Sequence, residues 1–277
     1  MFGTPVWAGG DSYYIARLND DMVSLAEQPR KVKLNHEGSD KPALHKYNGL
    51  YYLTYGSHYA TAENVYGPYL YRGFIGSSID HGNFVEWNNQ WFQSFTIFDP
   101  TIFYRGSGLC YIHYKDNGEM VADPMIMEYG VGQYEATWNR IEAEWYMAGD
   151  KMRKKELPYY GFCVEGEDGG YIRFPHIHDM PENAGICFFA GSLSWEGGRI
   201  EVRKDTPDGE LLGSCDIPYT GTIDLGGFDF RYCPLKNVAG DADLCFVFRG
   251  GKDNYPVVID WFRVYENMEG FVSDRPY

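Results

Sequence analysis

The fold is decided by residues 39–56, which read SDKPALHKYNGLYYLTYG, and by residues 65–73, which read VYGPYLYRG. The dipeptide Asn48-Gly49 supplies the positive φ angles of a tight hairpin turn. It is preceded by a short, mixed apolar run and followed by an aromatic run without a breaker, as expected for two paired strands. A Gly-Pro turn signal in the second segment returns a further strand along the same sheet.

Similar turns recur along the first half of the chain, at residues 88–89 and 115–118. A repeat of about forty residues is typical of β-propeller blades. Propellers typically have four to eight blades, which need a longer chain than this half provides, so the sequence predicts a partial propeller. We expect the missing blades to leave an apolar surface exposed on the remaining ones. The side chains concerned are Tyr13, Tyr14, Phe92, Phe95 and Phe98.

The character of the sequence changes at Arg140. Short apolar runs follow, separated by Gly, Asp and Pro, and some of them alternate between apolar and polar residues, as at 200–203 and 260–265. This pattern predicts a β-sandwich, and no long segment has a helical period. The predicted fold class is therefore all-β, with a partial β-propeller at residues 1–135, which the family resemblance given below implies to be five-bladed, and a β-sandwich (jelly-roll) module at residues 140–268.

Composition narrows the choice of partners. Aromatic residues make up 17% of the 277 residues, and the net charge is −15. The charge opposes non-specific binding to nucleic acid and to anionic membranes, and it leaves binding to neutral polysaccharide unaffected. Acidity that serves only solubility is an equally good interpretation. The six cysteines show no metal-binding spacing and lie mostly in apolar runs, which indicates buried thiols.

Residues 1–10 contain neither a basic n-region nor an apolar h-region. They predict no signal peptide and no transmembrane helix. We expect an extracellular or periplasmic location only if a further segment precedes Met1. The sequence leaves the oligomeric state open.

The region around the Asn48-Gly49 turn resembles the third blade of the five-bladed propellers of glycoside hydrolase family 43. The family pattern combines Glu-(Gly/Ala)-Pro-Trp-x-x-Lys, Asn-Gly, Tyr-Tyr-Leu-x-Tyr and Tyr-Gly-Pro-(Phe/Tyr). It is matched at Pro42, Lys46, Asn48, Gly49, Tyr51, Tyr52, Leu53, Tyr55, Tyr66, Gly67 and Pro68. The resemblance implies inverting O-glycosyl hydrolysis of the arabinosidase or xylosidase type.

The position of the family's general-acid Glu holds Asp40, and the nearest Glu is Glu37. Both are therefore candidate catalytic residues. Inverting hydrolysis needs one carboxyl group to protonate the leaving group and one carboxylate to activate water. The resemblance places the base Asp and a pKa-setting Asp in blades one and two, and we expect neither segment in these 277 residues. The alternative for Asp40 is an ion pair with Lys41 at a strand end.

The stretch from Asp80 onward resembles the family's fourth blade, in which a His-Gly pair leads a strand that faces the axis. The resemblance makes His81 a candidate substrate-binding residue, or a ligand of an ion on the axis. The alternative is a histidine whose hydrogen bonds are satisfied within a turn.

The second domain resembles carbohydrate-binding module family 6. The matching stretches are IEAE at 141–144, GRIEVR at 198–203, DTPDG at 205–209, FVFRGG at 246–251 and IDWFRV at 259–264. In this family, aromatic faces stack on the sugar ring, and the resemblance assigns the first of them to Tyr171. The second stacking Trp would fall near Ile223 or Phe228, and the family's Asn is replaced by Val258. Trp195 or Tyr219 can then serve another surface, unless these aromatic residues are core or incidental.

Three acidic residues of the module suggest a structural calcium site. Glu142 and Glu144 alternate on a predicted strand, so their carboxylates share a face. The resemblance places the first and last strands side by side, which brings Asp260 near them. Oxygen ligands of this kind suit Ca²⁺. The alternative is a charge pair that keeps an edge strand from aggregating.

These observations favour a carbohydrate-active protein of the family 43 type with a carbohydrate-binding module, whose ligand is a plant-type or other neutral glycan. We expect the chain to be catalytically incomplete. The alternative is a non-catalytic glycan-binding protein in which only the module works. A structural interaction protein that uses an open propeller edge is a third, weaker hypothesis.

Overall fold

The structure is a computed structural model, and it describes residues 2–4, 12–38, 41–75, 82–98, 103, 105–123, 130–158, 161–250 and 256–266. The described chain is all-β apart from two short 3-10 helices at Ala143–Trp145 and Ile223–Leu225. It divides into two compact units. The first comprises Met1–Glu86 and Trp91–Gly130, and the second comprises Trp87–Gln90 and Val131–Tyr277. None of the described helices is long and apolar enough to cross a membrane.

The first unit is built from three antiparallel sheets. Its strands are β1 (Phe2–Thr4), β2 (Ser12–Ile15), β3 (Arg30–Lys31), β4 (Pro42–Tyr47), β5 (Leu50–Tyr55), β6 (His58–Ala62), β7 (Leu70–Phe74), β8 (Asn83–Trp87), β9 (Gln90–Phe98), β10 (Arg105–Tyr114) and β11 (Met120–Ala122). They form a three-stranded sheet in the order β1-β2-β3 and two four-stranded sheets in the orders β4-β5-β6-β7 and β11-β10-β9-β8. A four-stranded antiparallel meander is the topology of a propeller blade.

The decisive stretch folds as the sequence predicts. Strands β4 and β5 pair antiparallel from Pro42 opposite Tyr55 to Tyr47 opposite Leu50. The connecting residues Asn48 and Gly49 have φ angles of 42° and 82°, and the equivalent Asn88 and Asn89 between β8 and β9 have 51° and 60°. Positive φ at both central residues defines the type I′ turn, whose twist matches that of the flanking strands. The turn residues therefore fix the register of both hairpins.

The core of the first unit corrects one expectation. Tyr13 packs in a cluster with Leu53, Tyr55 and Tyr69, so the β1-β2-β3 sheet covers one face of the β4–β7 sheet. Tyr13 is only 2% exposed, and Phe92 and Phe95 are buried as well. The expectation that these three side chains lie bare is wrong. The short strands before residue 32 supply a partner surface for Tyr13, and the ring of Phe92 contacts Tyr111 of β10. The side chain of Phe98 lies outside the described residues.

The second unit is a β-sandwich. Its strands are β12 (Tyr134–Glu135), β13 (Ile141–Glu142), β14 (Ala148–Leu157), β15 (Gly161–Met180), β16 (Ala184–Ser192), β17 (Gly198–Lys204), β18 (Leu211–Ile217), β19 (Asp229–Pro234), β20 (Gly240–Arg249) and β21 (Val257–Glu266). One layer runs β18-β17-β20-β15 and the other β15-β21-β16-β19. Strand β15 belongs to both, because Val164 pairs with Ile259 of β21 and Tyr171 pairs with Val247 of β20.

Aromatic rings from four strands fill the space between the layers. Phe246 of β20 contacts Phe262 of β21, with ring centroids 4.8 Å apart, and Phe188 of β16 at 5.0 Å. Phe174 of β15 contacts Phe262 edge-on at 4.8 Å. Edge-to-face contacts at these separations are favourable beyond the area they bury. All six cysteines are free thiols and five are buried, which confirms the prediction for all but the half-buried Cys215.

The boundaries of the two domains, 1–135 and 140–268, remain predictions.

Candidate functional site

The positions at which the resemblance places the module's second stacking residue and its Asn lie inside the protein. Val258 is fully buried, and Ile223 and Phe228 are 1% and 8% exposed. The three form one apolar cluster with Leu157 and Cys163. A side chain in that cluster cannot lie against a sugar ring, because the ring would have to enter the core. The usual loop site therefore has neither its second aromatic face nor its amide.

Tyr171, the remaining member of that site, lies on β15 between Asp150 of β14 and Val247 of β20. Its side chain is half-buried. Its phenol is protonated at neutral pH and can donate a hydrogen bond, and burial raises the pKa of this phenol further. Tyr171 can supply one polar contact to a ligand, but no described aromatic partner faces it across the loop positions named above.

The acidic cluster, Glu142, Glu144 and Asp260, is partly as predicted. Strand β13 pairs with β21, with Glu142 opposite Trp261, so the first and last strands of the module are neighbours. The prediction that Glu142 and Glu144 alternate on one strand is wrong. The strand ends at Glu142, and Glu144 lies in the 3-10 helix Ala143–Trp145. A 3-10 helix turns by about a third of a revolution per residue, so the two carboxylates do not share a strand face.

Burial gives the acidic cluster unusual electrostatics. Asp260 is 1% exposed and Glu144 is 6% exposed. Burial raises the pKa of Asp260 to about 7, with a further contribution from the charge of Glu142 and an opposing one from Arg140. Arg140 forms an ion pair with Glu142. Arg140 thus acts on two members of the acidic cluster, Glu142 and Asp260.

Two observations test whether the acidic cluster fits Ca²⁺. Both carboxylate oxygens of Asp260 are buried and accept no hydrogen bond from the described residues, which is costly unless a cation or water binds there. Ligands of one Ca²⁺ lie within about 5 Å of one another, twice the Ca–O distance. The three carboxylates of the cluster do not all come within 4.8 Å of one another. Carboxylate oxygens are suitable ligands for calcium. To bind one ion together, however, the three side chains would have to move closer to one another.

The predicted catalytic region is only partly described. Asp40 and His81 lie outside the described residues. Glu37 is exposed and lies in the segment that leads to β4. The Nδ1 atom of His36 is 2.8 Å from the backbone oxygen of Glu37, so a protonated Nδ1 donates a hydrogen bond that fixes this turn. Glu37 is thus placed at the surface of the first unit, where a ligand can reach it.

A group of rings beside Glu37 was not predicted. His36 stacks on Tyr71 with ring centroids 3.9 Å apart, and the Nδ1 atom of His58 is 2.9 Å from the Tyr71 hydroxyl. The hydroxyl of Tyr55 also contacts His36, at 3.3 Å from its Nδ1 atom. These residues come from β5, β6, β7 and the segment before β4, so only the strand register brings them together. No local sequence signal could have identified the group.

Comparison with known proteins agrees with this organisation. The family model described as "Carbohydrate binding module (family 6)" matches residues 154–266. An arabinoxylan arabinofuranohydrolase of Bacillus subtilis (strain 168) is 26% identical over 287 aligned positions, which cover 88% of this chain and 54% of that protein. A xylosidase/arabinosidase of Bacteroides ovatus is 30% identical over 133 positions, which cover 39% of this chain and 41% of that protein. The chain thus spans about half the length of these relatives.

Solved structures give weaker likenesses. A family 43 arabinoxylan arabinofuranohydrolase from Bacillus subtilis in complex with cellotetraose has a TM-score of 0.46 at 20% identity, over 92% of this chain and 59% of that one. A family 6 carbohydrate-binding module from Clostridium cellulolyticum in complex with xylose has a TM-score of 0.43 at 28% identity, over 48% of this chain and 99% of that one. Together with the sequence motifs, the family model and the relatives identify the chain as a region of the glycoside hydrolase family 43 type followed by a carbohydrate-binding module of family 6.

Proposed function

We propose that this chain binds neutral xylan-type polysaccharide through its C-terminal module, as part of a carbohydrate-active protein of the arabinofuranosidase or xylosidase type. The observation that carries the proposal is the family 6 match over residues 154–266, which lies within the β-sandwich of the second unit. The names of the relatives, arabinoxylan arabinofuranohydrolase and xylosidase/arabinosidase, support the choice of substrate class. The net charge of −15 favours a neutral glycan over an acidic one, because like charges repel.

Depletion on insoluble polysaccharides tests the proposal. The full chain is mixed with insoluble arabinoxylan, xylan, cellulose or de-esterified pectin, and the protein left in the supernatant is measured. We expect depletion by arabinoxylan or xylan and none by pectin, which carries carboxylates. If no neutral polysaccharide removes the protein from solution, the proposed function is wrong.

Hydrolysis is a second candidate function, favoured by the relatives whose similarity extends over most of the chain. In this proposal Asp40 or Glu37 is the general acid, which protonates the departing glycosidic oxygen, and His81 contacts the sugar. A base at about 6.5–9.5 Å from the acid is needed to activate water for inversion. The test is release of nitrophenol from nitrophenyl arabinofuranoside and xyloside.

Two variants separate the candidate acids in that assay. Asp40→Asn or Glu37→Gln should remove turnover, because an amide cannot donate a proton to the leaving group. Turnover that survives in both variants excludes both residues. A chain that binds polysaccharide but releases no nitrophenol supports the alternative, a non-catalytic glycan-binding protein.

We also propose that the acidic cluster binds a structural Ca²⁺. The buried carboxylate of Asp260, neither oxygen of which accepts a hydrogen bond from the described residues, and its raised pKa support this. A divalent cation would lower the pKa of Asp260 and remove the cost of three acidic groups in one site. The ion has a structural role in this proposal, since it ties the first strand of the module to the last.

A further inference from the structure

The module keeps the family fold but buries the positions of the usual sugar site. Ile223, Phe228 and Val258 contribute to an apolar cluster of the core. If the module binds glycan, another surface must supply the aromatic faces. Such faces are needed because the C–H groups of a pyranose ring form an apolar patch that packs against a flat π-system.

Two exposed aromatic side chains lie together at one end of the sandwich. Trp195 follows β16 and is 79% exposed, and Tyr219 follows β18 and is 38% exposed. Their rings are stacked, with centroids 4.0 Å apart and planes at 25°. Within the described residues from Val131 onward, no other aromatic side chain is exposed to this degree. A contiguous exposed aromatic surface of this kind is typical of a binding site.

The loops that carry the pair are held in place by buried polar groups. Residues Ser194 to Gly197 form a turn closed by a 2.8 Å hydrogen bond from the Gly197 N–H to the Ser194 carbonyl. The Ser194 hydroxyl accepts a further bond from the backbone N–H of Glu196. A Cβ on Gly197 would lie 2.7 Å from the carbonyl oxygen of Ile217, so glycine is required where the two loops approach each other. Trp195 is therefore presented at the tip of a fixed turn.

The second loop is tied to the first. The N–H of Thr220 donates to the carbonyl of Ser192 at 3.0 Å, and the N–H of Ser192 donates to the Thr220 hydroxyl at 3.2 Å. Ser192 is fully buried, so these bonds are shielded from water. Tyr219, next to Thr220, is thereby fixed relative to Trp195. A pre-organised aromatic surface loses little conformational entropy on binding. A small contact area can therefore still give measurable affinity.

We propose that the Trp195–Tyr219 pair is the glycan-binding surface of this module and that it takes the face of a pyranose ring of a neutral glycan. The inference rests on the proposed function and names the site through which that function operates. Because the two rings stack on each other, the outer face of the more exposed Trp195 is the surface on which a sugar ring can lie, and a single stacking contact of this kind gives weak affinity. Neutral glycan is favoured because the net charge of −15 repels acidic ones.

Isothermal titration calorimetry of the full chain with xylohexaose and with cellohexaose tests the site. Trp195→Ala should lower the association constant for the bound hexaose at least tenfold, and Trp195→Phe should retain most of it. Tyr219→Ala should lower it less, because Tyr219 is less exposed. Trp87→Ala, which removes another exposed Trp, should change it less than twofold. Melting curves should be unchanged by Trp195→Ala, since that side chain contributes little to the core.

The outcomes separate the inference from the proposed function. If Trp195→Ala binds as tightly as the unaltered chain, the inference is wrong while the proposed function stands. Loss of binding in Tyr171→Ala alone would also overturn the inference, and it would assign binding to the usual loop. If the unaltered chain binds neither the hexaoses nor any neutral polysaccharide, the proposed function fails, and the inference fails with it.

Discussion

His45, in the decisive stretch, should make the stability of the first unit depend strongly on pH. It lies on β4 between two aromatic rings, with centroids 4.4 Å from Phe84 and 5.0 Å from Tyr52. Its Nε2 atom is 2.7 Å from the Tyr114 hydroxyl, and its Nδ1 atom is buried with no hydrogen-bond partner in the described structure. Burial lowers the pKa of His45 from 6.5 to about 3. The ring is therefore neutral in the folded protein at every physiological pH.

The magnitude follows from linkage. Between pH 6.5 and about 3 the unfolded chain binds one more proton at His45 than the folded chain, so the free energy of unfolding falls as the pH falls. Each pH unit below 6.5 contributes about 1.4 kcal/mol. From pH 7.5 to pH 4.5 the loss is about 2.7 kcal/mol.

A double variant isolates the effect. His45→Phe alone would leave the Tyr114 hydroxyl buried without a partner, so His45→Phe is combined with Tyr114→Phe, which removes both partners at little cost. Urea unfolding of the unaltered and double-variant chains is followed at pH 7.5, 6.0 and 4.5. We expect the free energy of unfolding of the unaltered chain to fall by about 2.7 kcal/mol more than that of the variant between the two extremes.

NMR titration of the histidine Hε1 resonances then measures the pKa of His45 directly. A resonance of His45 that shifts with a midpoint near pH 6.5, or equal pH slopes in the two chains, would contradict the reasoning.

Three further predictions concern the module. Removal of Ca²⁺ with EDTA should lower its melting temperature, because an ion at 100 times its Kd stabilises the folded state by about 2.7 kcal/mol; superimposable melts, or a shift that persists in Asp260→Asn, would exclude the acidic cluster. Gly166→Ala should cost about 1–3 kcal/mol in urea unfolding, since the new Cβ would lie 2.1 Å from the Phe248 ring, and an unchanged midpoint would mean that this ring can move away freely. Val258→Asn should lower the free energy of unfolding by about 1–3 kcal/mol, because the buried amide would lack hydrogen-bond partners. It should not improve xylohexaose binding, and improved binding would show that the usual loop site can be reopened.

The sequence predicted those parts of the fold that depend on local chemistry. The hairpins at Asn48-Gly49 and Asn88-Asn89 could be located because positive φ is cheap only for a few residue types. The all-β class and the order of the two parts followed from the motifs. The double membership of β15 could not be predicted, because it depends on which distant strands pair with each half. The same limitation explains why the burial of Tyr13 by a short N-terminal sheet was missed.

The candidate site was predictable in residue type more than in geometry. The replacement of the family's Asn by Val258 was visible in the sequence, but its consequence, an apolar cluster that closes the loop site, required contacts among β14, β15, β21 and the Ile223–Leu225 helix. Glu144 was assigned to a strand because IEAE alternates, whereas a 3-10 turn begins one residue earlier. The ring group beside Glu37 depends on cross-strand register alone. Side-chain convergence of this kind is not encoded in any single stretch.

The replacements in the module are best understood as one coupled change. An Asn at position 258 is compatible with the core only if a ligand or a neighbouring polar group satisfies its amide, whereas a Val there stabilises by packing. With Val at position 258, Ile223 and Phe228 stabilise the fold by packing against it. An exposed Trp at either position would lose that packing energy. The loop therefore favours either a complete sugar site or a complete core. In this chain these positions belong to the core. The exposed, stacked rings of Trp195 and Tyr219 lie on loops outside that apolar cluster.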